Sequence, residues 1–129
     1  MKFFFDNNIS DRIARAIACL ADGDRDQVVH LKEKFPPDTA DTIWIPALAN
    51  EKGWIILSGD CRIRTRPGER EAFGKAGLTT FFFAKGWMNT RFWDQAALLV
   101  RWWPKIREQA GLAVAGSFFE VPHKNSGRF

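Results

Sequence analysis

The sequence predicts an α/β domain of three layers, in which a mostly parallel sheet lies between two layers of helices. Three short apolar runs carry this prediction, namely Phe3–Phe5, Trp54–Leu57 and Leu78–Phe83. Apolar runs of this length, rich in aromatic and β-branched residues, are typical of strands buried on both faces. Segments with helical spacing separate the runs, and such alternation of strands and helices favours a parallel sheet.

The first half of the chain shows this alternation clearly. Ser10 is a suitable N-cap for a helix, and the apolar residues from Ile13 to Leu20 recur at helical spacing. Gly53 is expected as the C′ glycine of a second helix, and Pro46 is expected near the first turn of that helix or at a bend. The predicted order is helix 10–21, strand 27–31, loop 32–38 and helix 39–52.

The second half continues the pattern from the buried strand Trp54–Leu57. Thr90 is expected to cap a long helix, which Pro104 should kink or end. The predicted order is basic loop 61–68, helix 69–75, strand 78–83, long helix from 90, last strand within 112–121 and basic tail 122–129. The tail is expected to fray.

The totals limit the class of protein. A chain of 129 residues suits one domain, 1–129, with its own hydrophobic core. The chain has no apolar stretch of the roughly 20 residues that a membrane span needs. It begins with a strand rather than a secretory signal, and its two cysteines suit a reducing cytoplasm. We therefore expect a cytoplasmic location.

Charge is unevenly distributed along the chain. Residues 1–60 hold 7 Lys and Arg against 10 Asp and Glu, whereas residues 61–129 hold 12 against 5. An acidic cluster beside a basic half is what a metal-dependent nuclease requires, because acids bind cations and bases bind phosphates. On charge alone, a soluble surface with chance asymmetry explains the pattern better.

Three acids stand where predicted strands give way to helices. Asp6 and Asp60 follow buried strands, and Asp41 opens the helix between them. In an open parallel sheet these points share the carboxyl edge, where ligands bind. Three carboxylates brought together repel one another unless a cation neutralises them, and oxygen ligands suit Mg²⁺ or Mn²⁺. Asn8 is placed to orient a carboxylate or a water on the metal.

Each acid also has an ordinary structural explanation. Asp6 can form an Asx turn, Asp41 can be an N-cap, and Asp60 can hold its turn. For one acid alone, the structural explanation has at least even odds, because caps and turns are the usual role of Asp. Three such acids at one edge are harder to explain in this way.

The chain resembles the PIN-like domain family, compact Rossmann-like nucleases that include toxins of VapC type. Three stretches carry the resemblance, in the family's order and within roughly residues 1–85. They are Phe-Phe-Phe-Asp-Asn-Asn-Ile-Ser, Thr-Ala-Asp-Thr-Ile-Trp-Ile-Pro-Ala-Leu-Ala and Gly-Trp-Ile-Ile-Leu-Ser-Gly-Asp. The resemblance implies metal ligation by Asp6, Asp41 and Asp60 and cleavage of RNA. It further implies an antitoxin as partner, with a homodimer left open.

The sequence departs from the family in one respect. PIN nucleases commonly bring a fourth acid to the site, but the residues just after Asp60 are Cys61, Arg62 and Ile63. Asp94, in the first turn of the long helix, is the only nearby candidate. Whether the site holds a second metal ion is therefore left open.

Several other side chains have a functional and a structural interpretation. The arginines that follow Asp60 can hold an RNA backbone or can simply be a solvated loop, and we favour the first. Aromatic residues of the long helix can stack on bases, although core packing is expected for most of them. Cys61 is expected to be an inert buried thiol. The arginines are Arg62, Arg64, Arg66 and Arg70, and the aromatic residues are Phe92, Trp93, Trp102 and Trp103.

Two hypotheses of different class remain. The first is a Mg²⁺- or Mn²⁺-dependent endoribonuclease, the toxin of a toxin–antitoxin pair. The second is a non-catalytic Rossmann-like module that binds RNA or protein, in which the acids act only as caps and turns. Binding of a divalent cation separates the two, because isolated caps do not form a site for Mn²⁺.

Overall fold

A five-stranded sheet with all strands parallel forms the middle layer of the protein. The computed structural model describes residues 1–59, 67–124 and 129, without the side chains of Pro67, Glu69 and Arg70. The strand order is β2-β1-β3-β4-β5. The strands are β1 (Lys2–Phe5), β2 (Gln27–His30), β3 (Trp54–Ser58), β4 (Thr79–Phe83) and β5 (Phe118–Val121). The predicted parallel α/β fold is confirmed, and two of the three apolar runs form the central strands β1 and β3.

Helices cover both faces of this sheet. They are α1 (Asp11–Ala21), α2 (Leu31–Lys34), α3 (Asp41–Glu51), α4 (Pro67–Lys75) and α5 (Phe92–Leu112), with 3₁₀ turns at Asp22–Asp24 and Trp87–Asn89. Buried residues of α1 and α5 pack on one face, and those of α3 and α4 pack on the other. Among the described residues, none of these helices has the length and apolar content to cross a membrane.

Alternation along the strands separates two hydrophobic cores. Phe3 and Phe5 face the α1 and α5 side, where both rings contact Trp103. Phe4 faces the other side and packs on Trp44 of α3. Successive side chains of a strand point to opposite faces, so one run of three phenylalanines anchors both layers.

The connections from β1 through α1 to β2 and from β4 through α5 to β5 have opposite hands. Helices α1 and α5 lie on the same face of the sheet. However, the chain moves in opposite directions across the sheet in these two connections. It moves from β1 outward to β2 at one edge, and from β4 outward to β5 at the other edge. Two crossovers over one face that travel in opposite directions have opposite hands. About 98% of such connections are right-handed, so one of these two is a rare left-handed crossover.

Local structure corrects two sequence expectations and excludes one of the two alternatives for Pro104. The expected loop after β2 contains α2, because Nδ1 of His30 accepts the Lys32 N–H and Glu33 completes a capping box. Thr90 does not cap α5, since its hydroxyl donates to the Gly86 carbonyl and Arg91 takes the N-cap position. Pro104 does not end α5.

Burial explains why α5 continues through Pro104. Proline costs about 3 kcal/mol in a helix interior. Trp102, Trp103 and Ile106 are buried on either side of it, and each buried side chain of this size contributes about 1.5–3 kcal/mol. The packing of this face therefore outweighs the missing backbone donor.

Two ion pairs converge on a buried acid just before β2. The Asp26 side chain is 1% exposed and accepts from Nε of Arg107 at 2.6 Å and from the Met1 amine at 3.0 Å. Burial raises the pKa of Asp26, but hydrogen bonds from Arg107 and Met1 together outweigh burial and hold the pKa below its ordinary value of 3.8. The two pairs tie the start of the chain to α5.

We expect Asp26→Asn to lower the free energy of unfolding by about 2 kcal/mol at neutral pH, because it removes a charged acceptor. Since the folded pKa is depressed, this contribution is present above pH 3.8 and is lost as the pH falls through the lowered folded value. Urea unfolding over a pH series measures it. The exposed Asp22→Asn is the matched control, and equal losses in both variants would contradict the prediction.

Candidate functional site

The carboxyl ends of β1 and β3 meet at the switch point of the sheet. In the sheet, β2 lies on one side of β1, and β3 followed by β4 lies on the other side. Helix α1 leaves β1 over one face, whereas α4, the helix after β3, packs on the other. Such divergence opens a crevice at the carboxyl edge, where open α/β sheets bind ligands. Asp6 and Ser58 stand at this point.

The Asp6 carboxylate is buried and held by three donors. Its exposed fraction is 6%. Oδ1 accepts the backbone N–H of Asn8 at 3.0 Å and that of Gly59 at 3.4 Å, and Oδ2 accepts the Ser58 hydroxyl. The Asn8 contact is the Asx turn that the sequence allowed as an alternative. The contacts to Ser58 and Gly59 go beyond a local turn, because they join β1 to β3 and orient the carboxylate at the crevice.

Asn8 and Gly59 are packed closely against each other. A Cβ atom at position 59 would lie 2.8 Å from Cβ of Asn8 and 2.8 Å from Sδ of Met88. Only glycine fits between these two neighbours without a shift. The Asn8 backbone N–H lies against the Asp6 carboxylate, and the close packing of Asn8 against residue 59 requires a glycine there.

Two further hydrogen bonds position the turn after Asp6. Nε2 of the fully buried His30 donates to the Ile9 carbonyl at 2.7 Å, while Nδ1 of the same ring accepts the Lys32 N–H. The Asn7 side chain donates to the Pro37 carbonyl at 2.5 Å. The turn is thus tied both to the end of β2 and to the loop that leads into α3.

Asp41 occupies the first turn of α3 at the same edge of the sheet. Ala40, not Asp41, is the N-cap residue, so the capping explanation for Asp41 is wrong. Instead, Oδ1 of Asp41 accepts the indole N–H of Trp44 at 2.9 Å. The Trp44 ring is buried and packs on Phe4 of β1 and Phe73 of α4. This hydrogen bond thereby links the Asp41 carboxylate to a buried side chain of the core.

Comparison with known families identifies the family of this chain. A family model described as a PIN-like domain matches residues 1–85, which contain Asp6, Asp41 and the crevice between β1 and β3. The chain belongs to the PIN-like domain family. PIN-like domains are generally nucleases and typically use divalent metal ions. No curated protein and no solved structure matches the chain.

The donor atoms of this PIN-like domain fit a hard divalent cation. Asp6, Asp41 and Asn8 offer oxygen ligands of the kind that Mg²⁺ and Mn²⁺ prefer. Among the side chains that the structure describes, no three of His, Cys, Asp or Glu converge as a metal site. The third predicted ligand, Asp60, lies outside the described residues, as do Arg62, Arg64, Arg66 and Cys61. The Arg70 backbone lies in α4, and its side chain is not described.

Other candidates of the PIN-like domain lie on or near α5. Asp94 is exposed and lines a cleft of about 530 Å³ together with Arg91, Arg101 and His123. Trp93 is 77% exposed, whereas Trp102 and Trp103 are buried in the core. Phe92 is half-buried, and the Arg12 guanidinium lies over its ring at 4.5 Å. Core packing is thus confirmed for three of the four aromatic residues, because the half-buried Phe92 also packs against the core on the α1 and α5 face.

Two residues of the site were missed by the sequence analysis, and a third residue, Glu120, lies two strands away on the same face of the sheet. The Ser58 hydroxyl and the glycine at 59 act on residues more than 50 positions away, and only the strand register reveals this. Glu120 pairs with Phe82, which in turn pairs with Ser58, so all three side chains share one face of the sheet. Glu120 is an acid near the carboxyl end of β5. Its only sequence signal was an acid inside a short apolar segment.

Proposed function

We propose that this chain is a Mg²⁺- or Mn²⁺-dependent endoribonuclease, and that it acts in the cytoplasm as the VapC-type toxin of a toxin–antitoxin pair. The observation that carries the proposal is the buried Asp6 carboxylate, oriented by Asn8, Ser58 and Gly59 at the crevice between β1 and β3. A buried carboxylate is costly unless it is paired. A cation shared with other acids would lower this cost further, beyond the hydrogen bonds that already hold Asp6.

In this proposal Asp6, Asp41 and Asp60 hold the cation, and Asn8 orients the attacking water. A bound Mg²⁺ or Mn²⁺ supplies an activated water and neutralises charge on the phosphate. The water oxygen forms a bond to phosphorus from the side opposite the departing ribose oxygen. The bond between phosphorus and that ribose oxygen breaks, and the ribose oxygen takes up a proton. Arginines near Asp60 hold the RNA backbone, because one guanidinium group can donate two parallel hydrogen bonds to a phosphate group. These arginines are Arg62, Arg64, Arg66 and Arg70.

The competing hypothesis is a non-catalytic module that binds RNA or protein. It draws on the Asx turn at Asp6, because that hydrogen bond would exist without a metal. Calorimetric titration with Mn²⁺ separates the two. A metal site should bind Mn²⁺ in a saturable way, whereas isolated turns and caps should not.

Cleavage of labelled single-stranded RNA in the presence and absence of a chelator tests the activity itself. We expect cleavage with Mg²⁺ or Mn²⁺, its loss with chelator and its return with excess metal. Asp60→Asn should reduce the rate by about a hundredfold or more, because charge stabilisation and water activation fail together. If Asp60 were only a turn former, Asn would satisfy the turn almost as well. Undiminished cleavage by Asp60→Asn would therefore end the nuclease proposal for this site.

A further inference from the structure

A cleft of about 530 Å³ lies along the first half of α5. We call it the α5 cleft. Arg91, Asp94 and Arg101 line it, and they share one face of the helix because they are three and seven residues apart. His123, which follows β5, also lines it. Since α5 begins after β4, the cleft lies at the carboxyl edge of the parallel sheet, as the candidate site does.

The turn before α5 connects this cleft to the candidate site. Sδ of Met88 lies 2.8 Å from the place that a Cβ atom at Gly59 would take. The Gly59 N–H in turn donates to the Asp6 carboxylate at 3.4 Å. Asn89, the residue after Met88, lines the α5 cleft. The cleft therefore begins one residue beyond a contact that borders the candidate site.

The walls of the α5 cleft are held in place by Trp87, which is fully buried. Its indole N–H donates to the carbonyls of residues 121–122 at 3.1 and 3.0 Å, and its own carbonyl accepts the Gln95 side-chain amide at 2.7 Å. Nearer the surface, Nε2 of His123 lies 2.8 Å from the Thr90 hydroxyl. These bonds join the segment after β5 to the start of α5, so the cleft is formed before a ligand binds.

The charged groups of the α5 cleft alternate in sign along the helix. Arg91 and Arg101 are exposed, and within the part of the chain that the structure describes neither guanidinium group is paired. Their Cα atoms are about 15 Å apart at the helical rise per residue, with Asp94 between them. An acid between two cations opposes a uniformly acidic peptide. It suits an RNA backbone, in which each phosphate is followed by a ribose whose 2′-hydroxyl can donate a hydrogen bond.

We propose that the α5 cleft binds the backbone of the single-stranded RNA substrate beside the bond that is cleaved. Arg91 and Arg101 each bind a phosphate, and the Asp94 carboxylate accepts a hydrogen bond from a 2′-hydroxyl between them. A 2′-hydroxyl distinguishes RNA from DNA, so Asp94 selects RNA. This inference rests on the proposed ribonuclease function, and it gives Asp94 a role outside the metal site.

The exposed ring of Trp93 supports a nucleic acid as the ligand. Trp93 is 77% exposed and lies one helical turn before Ala97, which lines the α5 cleft. Proteins that bind single-stranded nucleic acid combine a basic groove with aromatic side chains on which bases stack. Both parts of this arrangement are present along the first half of α5.

The salt dependence of RNA binding tests the phosphate contacts. Fluorescence anisotropy measures binding of a labelled pool of random single-stranded RNA in excess chelator, where metal-dependent cleavage is absent. Arg101→Gln should lower the slope of log K against log salt by about 0.7, the share of one phosphate contact in a single strand. The control is Lys75→Gln, which removes the same charge from the exposed last residue of α4, at the amino edge of the sheet. It should leave the slope unchanged.

Asp94→Ala tests the ribose contact through the ratio of the affinities for RNA and for DNA of the same sequence. We expect the wild-type protein to prefer RNA about tenfold and Asp94→Ala to lose most of this preference, because a charged acceptor is removed. An acid that only repelled the backbone would behave differently, since its removal would strengthen RNA and DNA binding equally. The exposed Asp22→Ala is the control and should keep the ratio.

The outcomes separate this inference from the proposed function. An unchanged salt slope in Arg101→Gln would overturn the α5 cleft and leave cleavage at Asp6 intact. RNA and DNA affinities that rise together in Asp94→Ala would overturn the ribose contact. A slope change seen with a polyglutamate peptide but not with RNA would also overturn the inference. If the wild-type protein binds RNA with these slopes but does not cleave it with Mn²⁺, the proposed function fails and the RNA contact at the α5 cleft stands.

Discussion

In the proposed mechanism, Asp6→Asn is expected to reduce metal-dependent RNA cleavage by about a hundredfold or more, because it would remove a carboxylate ligand worth several kcal/mol in the transition state. The fold should be retained. The amide oxygen can still accept the Asn8 and Gly59 N–H groups, and the Ser58 hydroxyl can accept from the amide nitrogen instead of donating. Asp6→Asn is thus expected to lower the cleavage rate while it leaves the stability of the fold nearly unchanged.

Two measurements check this expectation. Single-turnover cleavage at fixed Mn²⁺ concentration gives the rate, and thermal unfolding gives the stability. Asp22→Asn is the control, an exposed acid at the end of α1. Should Asp6→Asn cleave within a factor of about three of the wild-type rate, Asp6 would be only a turn former.

Gly59→Ala is expected to lower cleavage by about a hundredfold, since misplacement of a catalytic group by about 1 Å can cost this much. The new methyl group would lie 2.8 Å from Cβ of Asn8 and 2.8 Å from Sδ of Met88. The Met88 thioether is partly exposed and can turn away. Cβ of Asn8 is joined directly to the turn, so the turn that carries Asp6 must move.

The size of the structural penalty can be measured separately. Overpacking should lower the free energy of unfolding by about 1–3 kcal/mol. Gly23→Ala is the control, because a Cβ at position 23 meets no atom within 4 Å. Addition of Met88→Ala to Gly59→Ala should restore part of the stability but not the rate. Recovery of the full rate in the double variant would show that Asn8 is not the critical contact.

Much of the fold could be predicted because its signals are local. Continuous apolar runs identified β1, β3 and β4, and Ser10 was a correct N-cap, since its hydroxyl accepts the Arg12 N–H. Helix α2 was missed because its cap is a histidine, outside the usual set of capping residues. The hand of the α5 crossover was also beyond the sequence, because it depends on which face a helix packs against and not on its own residues.

The candidate site was predicted only in outline, for a similar reason. Strand ends placed Asp6 and Asp41 at one edge of the sheet from sequence alone. The donors that orient Asp6 come from Ser58 and Gly59, and the register of β1 against β3 brings them there. Register is a property of the whole sheet, and no short motif encodes it.

The hydrogen bond between Trp44 and Asp41 also has an optical consequence. The chain has six tryptophans and no tyrosine, so its ultraviolet fluorescence is tryptophan emission. The emission of an indole depends on the charge next to its N–H group, and in Trp44 that neighbour is the Asp41 carboxylate at 2.9 Å. Trp44 is therefore a built-in fluorescent reporter, and subtraction of the Trp44→Phe spectrum isolates the signal of events at Asp41.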